Sequence, residues 1–174
     1  MKKILFLISV VTLFSGCLGK QIQTLNHYEI YTPLTNKECK EYIQLNHIVI
    51  EVAQKINNIK IAYKEDDNKL EYFVKNKWVS NLQDMLETTL SKIAKNNCIS
   101  LSGNDNAKNL KLKVLDLYYD SPNNKAIFNA ILELDYKQIW IEKQIKIKEG
   151  DFTKIINGLN EAVNSGLDEA LRKI

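Results

Sequence analysis

Two prolines, six glycines, three cysteines and two histidines are all that 174 residues hold of those types. With so little proline and glycine and no low-complexity tract, the chain offers no internal linker, and no self-similar period marks a repeat protein. Histidine is confined to His27 and His47, and G-x-S-x-G, Walker A, G-x-G-x-x-G, H-E-x-x-H and C-x-x-C patterns are all missing. No enzyme signature is present, and a non-catalytic protein without cofactor is expected. A metal set could be assembled only from Cys39, His47 and Cys98, three dispersed positions of low specificity, so no metal is expected. Asp66-Asp67 falls in a turn-forming stretch and reads as a solvated loop. Charge of one sign is lacking too: 24 lysines and arginines face 21 acids. The lysines are scattered through strand-like segments, which speaks against a nucleic-acid partner.

One long hydrophobic run exists, at the start. Lys2 and Lys3 precede an apolar stretch from Ile4 to Phe14, followed by Ser15, Gly16 and Cys17. A spanning helix needs about 20 apolar residues to cross roughly 30 Å of hydrocarbon, and Lys20, Gln21 and Gln23 follow too soon. The order of parts is that of an export signal. A small-residue pair ahead of cysteine is the lipoprotein form of the cleavage site, although Phe14 stands where leucine is commonest. Residues 1–16 are therefore expected to be removed and Cys17 to be acylated, with residues 17–27 as a lipidated tether. The competing reading is an ordinary secreted protein with a free cysteine. Each buried CH₂ adds about 0.8 kcal/mol, so several acyl chains anchor the chain durably. Leu18 replaces the aspartate that often retains lipoproteins in the inner membrane, so the periplasmic face of the outer membrane is the expected location.

The remaining residues suit one domain, expected over 28–174. In an oxidising compartment Cys39 and Cys98 either pair or remain separate thiols, Cys98 then acting as a small hydrophobe. Strand-like runs appear at Tyr28–Tyr31, Ile48–Val52, Ile59–Tyr63 and Leu70–Val74. The period then changes: Leu82, Met85, Leu86, Leu90 and Ile93 predict a helix over 81–96, opened by a Ser80/Gln83 capping box. A short strand at Cys98–Leu101 and a turn at Gly103–Asn106 follow. Leu110, Leu112 and Val114 alternate, and the phase slips at Leu115, which predicts a bulge. Phe128, Ala130, Leu132, Leu134 and Tyr136 share one face of the next strand, and Ile139, Ile141, Ile145 and Ile147 one face of the last. Asp151 is a good N-cap for a final amphipathic helix running to the chain end.

Gly158, Ala162 and Gly166 stand four apart, so one flank of that helix can approach another surface closely, either the sheet or a partner. Tyr63, Tyr72, Phe73 and Trp78 are either core residues or the lining of a groove. Tyr63, Tyr72, Trp78, Gly158 and Gly166 are thus the candidate partner or lipid contacts. Two helices on one face of a mostly antiparallel sheet cover both apolar stripes, giving an α+β two-layer sandwich.

Taken in order, Tyr28-Glu29-Ile30, Ile61-Ala62-Tyr63, Leu70-Glu71-Tyr72, Trp78 with Leu82, Met85 and Leu86, and Gly158-Leu159-Asn160-Glu161-Ala162 resemble the ABC-type transport auxiliary lipoproteins. The resemblance covers nearly all of the mature chain, with Ile30 for the usual leucine and Ser80 after the tryptophan as departures. It implies a non-enzymatic component of an ABC transporter/MCE system moving phospholipid between inner and outer membranes. The implied partners are the membrane through the anchor, the MCE-domain protein, the transporter subunits and phospholipid; a homo-oligomer is left open. The alternatives are a lipopolysaccharide-assembly lipoprotein partnering an outer-membrane barrel and, from another class, a secreted hydrolase.

Overall fold

The computed structural model describes residues 24–101, 107–148 and 150–174. The export signal 1–16, Cys17, the first part of the tether and the turn at 103–106 lie outside the described residues. The elements are β1 (Asn26–Tyr28), β2 (Ile43–Val52), β3 (Lys60–Asp66), β4 (Lys69–Trp78), α1 (Leu82–Asn96), β5 (Ile99–Ser100), β6 (Lys108–Asp120), β7 (Lys125–Leu134), β8 (Lys137–Lys146) and α2 (Phe152–Leu171). β1 opens at Asn26, within the last residues of the segment read as tether.

The architecture is an α+β two-layer sandwich in which one eight-stranded sheet carries both helices on a single face. β6 is its spine. Along one edge β6 pairs antiparallel with β7, and β7 with β8, in the three-strand meander that the alternating apolar residues predict. Along the other edge its first half pairs parallel with β2 and its last two residues with β3. β5 adds parallel to β2, β4 antiparallel to β3, and β1 parallel to β4. The sheet is mixed, and its antiparallel ladders carry most of the registered residues.

The bulge falls where the phase slips. Val114 pairs with Ala130 but Asp116 with Asn129, leaving Leu115 as the extra residue. Because side chains alternate with period two, this one insertion lets Leu110, Leu112 and Val114 before it and Leu117 after it all point into the core. The β7–β8 connection departs from expectation. β7 ends at Leu134, and Asp135, with φ +50°, starts the reversal that leaves Tyr136 wholly exposed at the hairpin tip instead of on the apolar face.

α2 lies over β7 and β8, with Leu159, Ala162, Val163 and Leu167 each 1% exposed or less. Asp151 caps it, its carboxylate accepting the Thr153 N–H at 3.1 Å. α1 packs against β2, β5 and α2. Its predicted capping box does not form: the N-cap is Asn81, and the Ser80 hydroxyl turns to the Asn81 carbonyl at 3.4 Å. Asn57 supplies the bonds instead. Its Oδ1 accepts the Gln83 N–H at 3.4 Å, and its Nδ2 donates to Gln83 Oε1 at 3.2 Å. The β2–β3 connection, seated by buried Ile56, brings Asn57 to the helix start and satisfies a donor that the helix itself leaves orphaned.

Between β1 and β2 the chain forms a strap across the helices. Ile30 and Thr32 are buried; the Thr32 hydroxyl donates to Asn164 Oδ1 at 2.8 Å, and Asn164 Nδ2 donates to the Tyr31 carbonyl at 3.0 Å. Asn96 of α1 holds the next turn, donating to the Pro33 carbonyl at 2.8 Å and accepting from the Thr35 N–H at 2.9 Å. The strap ends at a disulfide between Cys39 and Cys98, whose Cα atoms are 5.6 Å apart. Cys98 follows the C-cap of α1 with φ +59°, in the left-handed position where helices commonly stop.

Candidate functional site

The residues singled out in the sequence divide between interior and surface. Trp78 is 3% exposed and belongs to the core. A Cβ placed on Gly158 would fall 2.8 Å from Ile147 Cγ1, and one on Gly166 2.8 Å from Ile141 Cγ2. The small-residue flank of α2 therefore serves close packing on the sheet. As partner or lipid contacts, Trp78, Gly158 and Gly166 are corrected: their surfaces are already covered. Tyr63 also faces the helices, its ring 4.6 Å from Phe73 in a cluster that runs through Phe152, 4.8 Å from Phe73, to Tyr28, 5.3 Å from Phe152. The disulfide takes both sulfurs out of the conceivable Cys39/His47/Cys98 metal set. His27 is exposed in β1, and the side chain of His47 lies outside the described ones.

Tyr72 alone of the five candidate contacts looks outward from the helix-free face. Its hydroxyl donates to the Lys55 carbonyl at 2.6 Å, and Lys60 Nζ lies 5.3 Å from its ring centre. Nearby, Lys64 sits 5.1 Å from the Tyr118 ring. Burial, reinforced by Asp116 and Asp120, pushes the Tyr118 phenol above its ordinary range.

Across the middle of this face runs a lattice of opposite charges. Lys55 pairs with Asp116 at 2.6 Å, and Asp116 also accepts from Asn129 Nδ2 at 3.1 Å. Lys111 pairs with Glu51 at 2.5 Å, and Lys113 with Glu133 at 2.9 Å, while Gln138 donates to Glu133 at 2.9 Å. The Lys113 hydrogen bond holds the Glu133 carboxyl below its ordinary value, and Glu133 in turn holds the Lys113 ammonium above its own. These charges are neutralised in place and tie strands together.

The less compensated surface lies at the sheet's end, on β8. Ile139 and Ile141 point under α2, which turns Trp140 to the helix-free face, where it is 61% exposed beside its cross-strand partner Ile131. The signal for this was present in Ile139-Trp140-Ile141: if the isoleucines face inward, the tryptophan between them must face out. On the helix side, Ile139, Ile141, Gly166 and Ala170 floor a groove of about 340 Å³, rimmed by Lys143, Glu169 and Lys173. Lys143 pairs with Glu169, and Lys137 Nζ donates to the Lys173 carbonyl at 2.7 Å. Such an arrangement can hold a chain or a side chain; it brings no activated nucleophile to a base. Among the described residues, no helix is long and apolar enough to cross a membrane.

The fold class so defined recurs in known proteins. Crystal structures of similar shape include a Xanthomonas campestris protein of family DUF330, with a TM-score of 0.63 at 13% identity, covering 84% of this chain and 92% of that one. Another is an uncharacterized protein, with a TM-score of 0.65 at 14% identity, covering 86% and 98%. These likenesses establish a shared fold. In sequence, an uncharacterized protein of Aquifex aeolicus (strain VF5) is 27% identical over 164 residues, 94% of this chain and 85% of that protein. No protein-family model matches the chain.

Proposed function

We propose that the chain is a lipid-anchored periplasmic protein, a non-catalytic auxiliary component of an ABC transporter/MCE system that moves phospholipid between the inner and outer membranes. The observation that carries this reading is the ordered set of motifs shared with the ABC-type transport auxiliary lipoproteins, taken with where those residues fall in the fold. Ile61, Trp78, Leu82, Leu86, Leu159 and Ala162 are all core positions that set the packing of β3, β4, α1 and α2. Core placement of these residues supports reading the shared motifs as parts of one domain architecture. The DUF330 likeness supports the same architecture.

The surface is of the kind that works by contact: an exposed tryptophan, a long strand edge and a groove beneath it. Acylation at Cys17 would keep the domain at a membrane, where binding a transporter component needs no catalytic group. The test is capture of the tagged full-length protein from detergent-solubilised envelopes. Recovery of an MCE-domain protein with its permease and ATPase is the expected result. Recovery of an outer-membrane barrel alone would reject the lipid-transport reading in favour of lipopolysaccharide assembly.

A further inference from the structure

A sheet edge is a row of unpaired N–H and C=O groups, and proteins normally keep such edges short or covered. Two ends of this sheet follow that rule, since β1 has three residues and β5 two. β8 does not. It is ten residues long and, among the described residues, pairs only with β7, so its other side presents an open ladder.

What surrounds the ladder is differentiated. A strand added to β8 would send alternate side chains to opposite faces. On one face they would enter the groove between Ile139 and Ile141 of β8 and Ala170 of α2, and on the other they would meet the exposed Trp140.

Charge selects the occupant. Lys137, Lys143 and Lys146 of β8, with Lys148 and Lys173 close by, outnumber the acids Glu142 and Glu169, of which Glu169 is already paired with Lys143. Lys143 also lies on the helix side of an edge strand, an inward-pointing charge of the kind that discourages strands from pairing with copies of themselves. A second β8, paired parallel in register or antiparallel about its centre, would set Lys137 and Lys146 against lysines, which is destabilising across a ladder. An acidic strand would meet complementary charge at both ends of β8, at Lys137 and Lys146. Resting on the reading of this domain as a binding module, we propose that the free edge of β8 is the docking site for an extended segment of a partner protein that alternates acidic and apolar residues, taken up by strand addition.

The probe is a synthetic peptide alternating Glu and Val, about as long as β8, titrated into the detergent-solubilised mature protein. Binding should protect β8 amides from hydrogen exchange and shift Trp140 emission, readable because Trp78 is already buried. Replacing Glu by Lys in the peptide, or N-methylating alternate backbone amides so that no ladder can form, should each weaken binding at least about tenfold. Trp140→Ala, at an exposed position that folding does not require, should weaken it several-fold while β8 protection is retained at saturation. Equal binding of the Glu and Lys peptides, tolerance of N-methylation, or protection appearing at β1 or β5 instead of β8 would overturn the proposal. If the peptide fails while envelope capture still yields the MCE protein, the edge site falls and the transport reading stands.

Discussion

Gly166 of α2 lies directly over Ile141 of β8: a Cβ added to the glycine would sit 2.8 Å from Ile141 Cγ2 and 3.1 Å from Phe128 Cδ1. Phe128 is fully buried at the centre of β7, so neither neighbour can withdraw without disturbing the layer interface. Gly→Ala in a helix interior ordinarily stabilises by about 0.5–1 kcal/mol, but here overpacking of about 1–3 kcal/mol opposes it. Gly166→Val is therefore expected to lower stability by about 2 kcal/mol or more, read from the urea midpoint. An unchanged midpoint would mean that α2 stands off the sheet.

Trp78 ends β4 at 3% exposure, with Leu82 and Leu86 of α1 in the same core. Trp78→Ala should cost about 3–5 kcal/mol, as truncation of buried aromatics does. Equilibrium denaturation measures it, and a loss below about 1 kcal/mol would contradict this burial.

The disulfide joins cysteines 59 residues apart and closes the strap over the helices. In the chain-entropy account a loop of that length contributes about 4 kcal/mol. Paired Cys39→Ser and Cys98→Ser substitution should lower the midpoint accordingly, and added reductant should then have no further effect on the variant. If reductant leaves the wild-type midpoint in place, the bond is not formed in the folded protein.

Lys113 holds Glu133 below the ordinary glutamate value, mainly through their hydrogen bond. A carboxyl whose folded pKa is depressed adds stability that is present above the unfolded value, near 4.3, and is lost as pH falls through the folded one. NMR titration of the Glu133 carboxyl should show a midpoint below that of a free glutamate, rising in Lys113→Met. Identical midpoints in both proteins would deny the coupling.

Acylation at Cys17 should appear in the intact mass and by palmitate labelling, and vanish in Cys17→Ala. Unacylated mature wild-type protein in the envelope would end the anchoring proposal.

What the sequence made legible was local. The Leu115 bulge, the β6–β7–β8 meander, both helices and the Asp151 cap follow from patterns within a few neighbouring residues. What escaped it depends on distant partners. The parallel placement of β2 and β3 on one edge of β6 leaves no trace in local alternation. The Ser80 capping box lost to Asn57 because a connection some 25 residues earlier folds against the helix start. The small residues of α2 were legible as a close-approach flank, but only packing assigns that flank to the sheet. The open edge of β8 was legible in part: the alternation that turns Ile139 and Ile141 inward also turns Trp140 out, whereas an unpaired edge is a property of topology.

The strap also sets how the domain answers tension. A pull on the N-terminal segment loads three-residue β1 first, then the strap's side-chain bonds to Asn164 and Asn96, and there it stops, because Cys39 is bonded covalently to the end of α1. Residues 24–38 are the described part of the chain that lies on the N-terminal side of this stop. Extended at about 3.4 Å per residue, that segment has a contour length of about 50 Å, part of which the folded strap already spans. The disulfide thus acts as a mechanical stop, separating a slack the chain can give up from a body that keeps its shape.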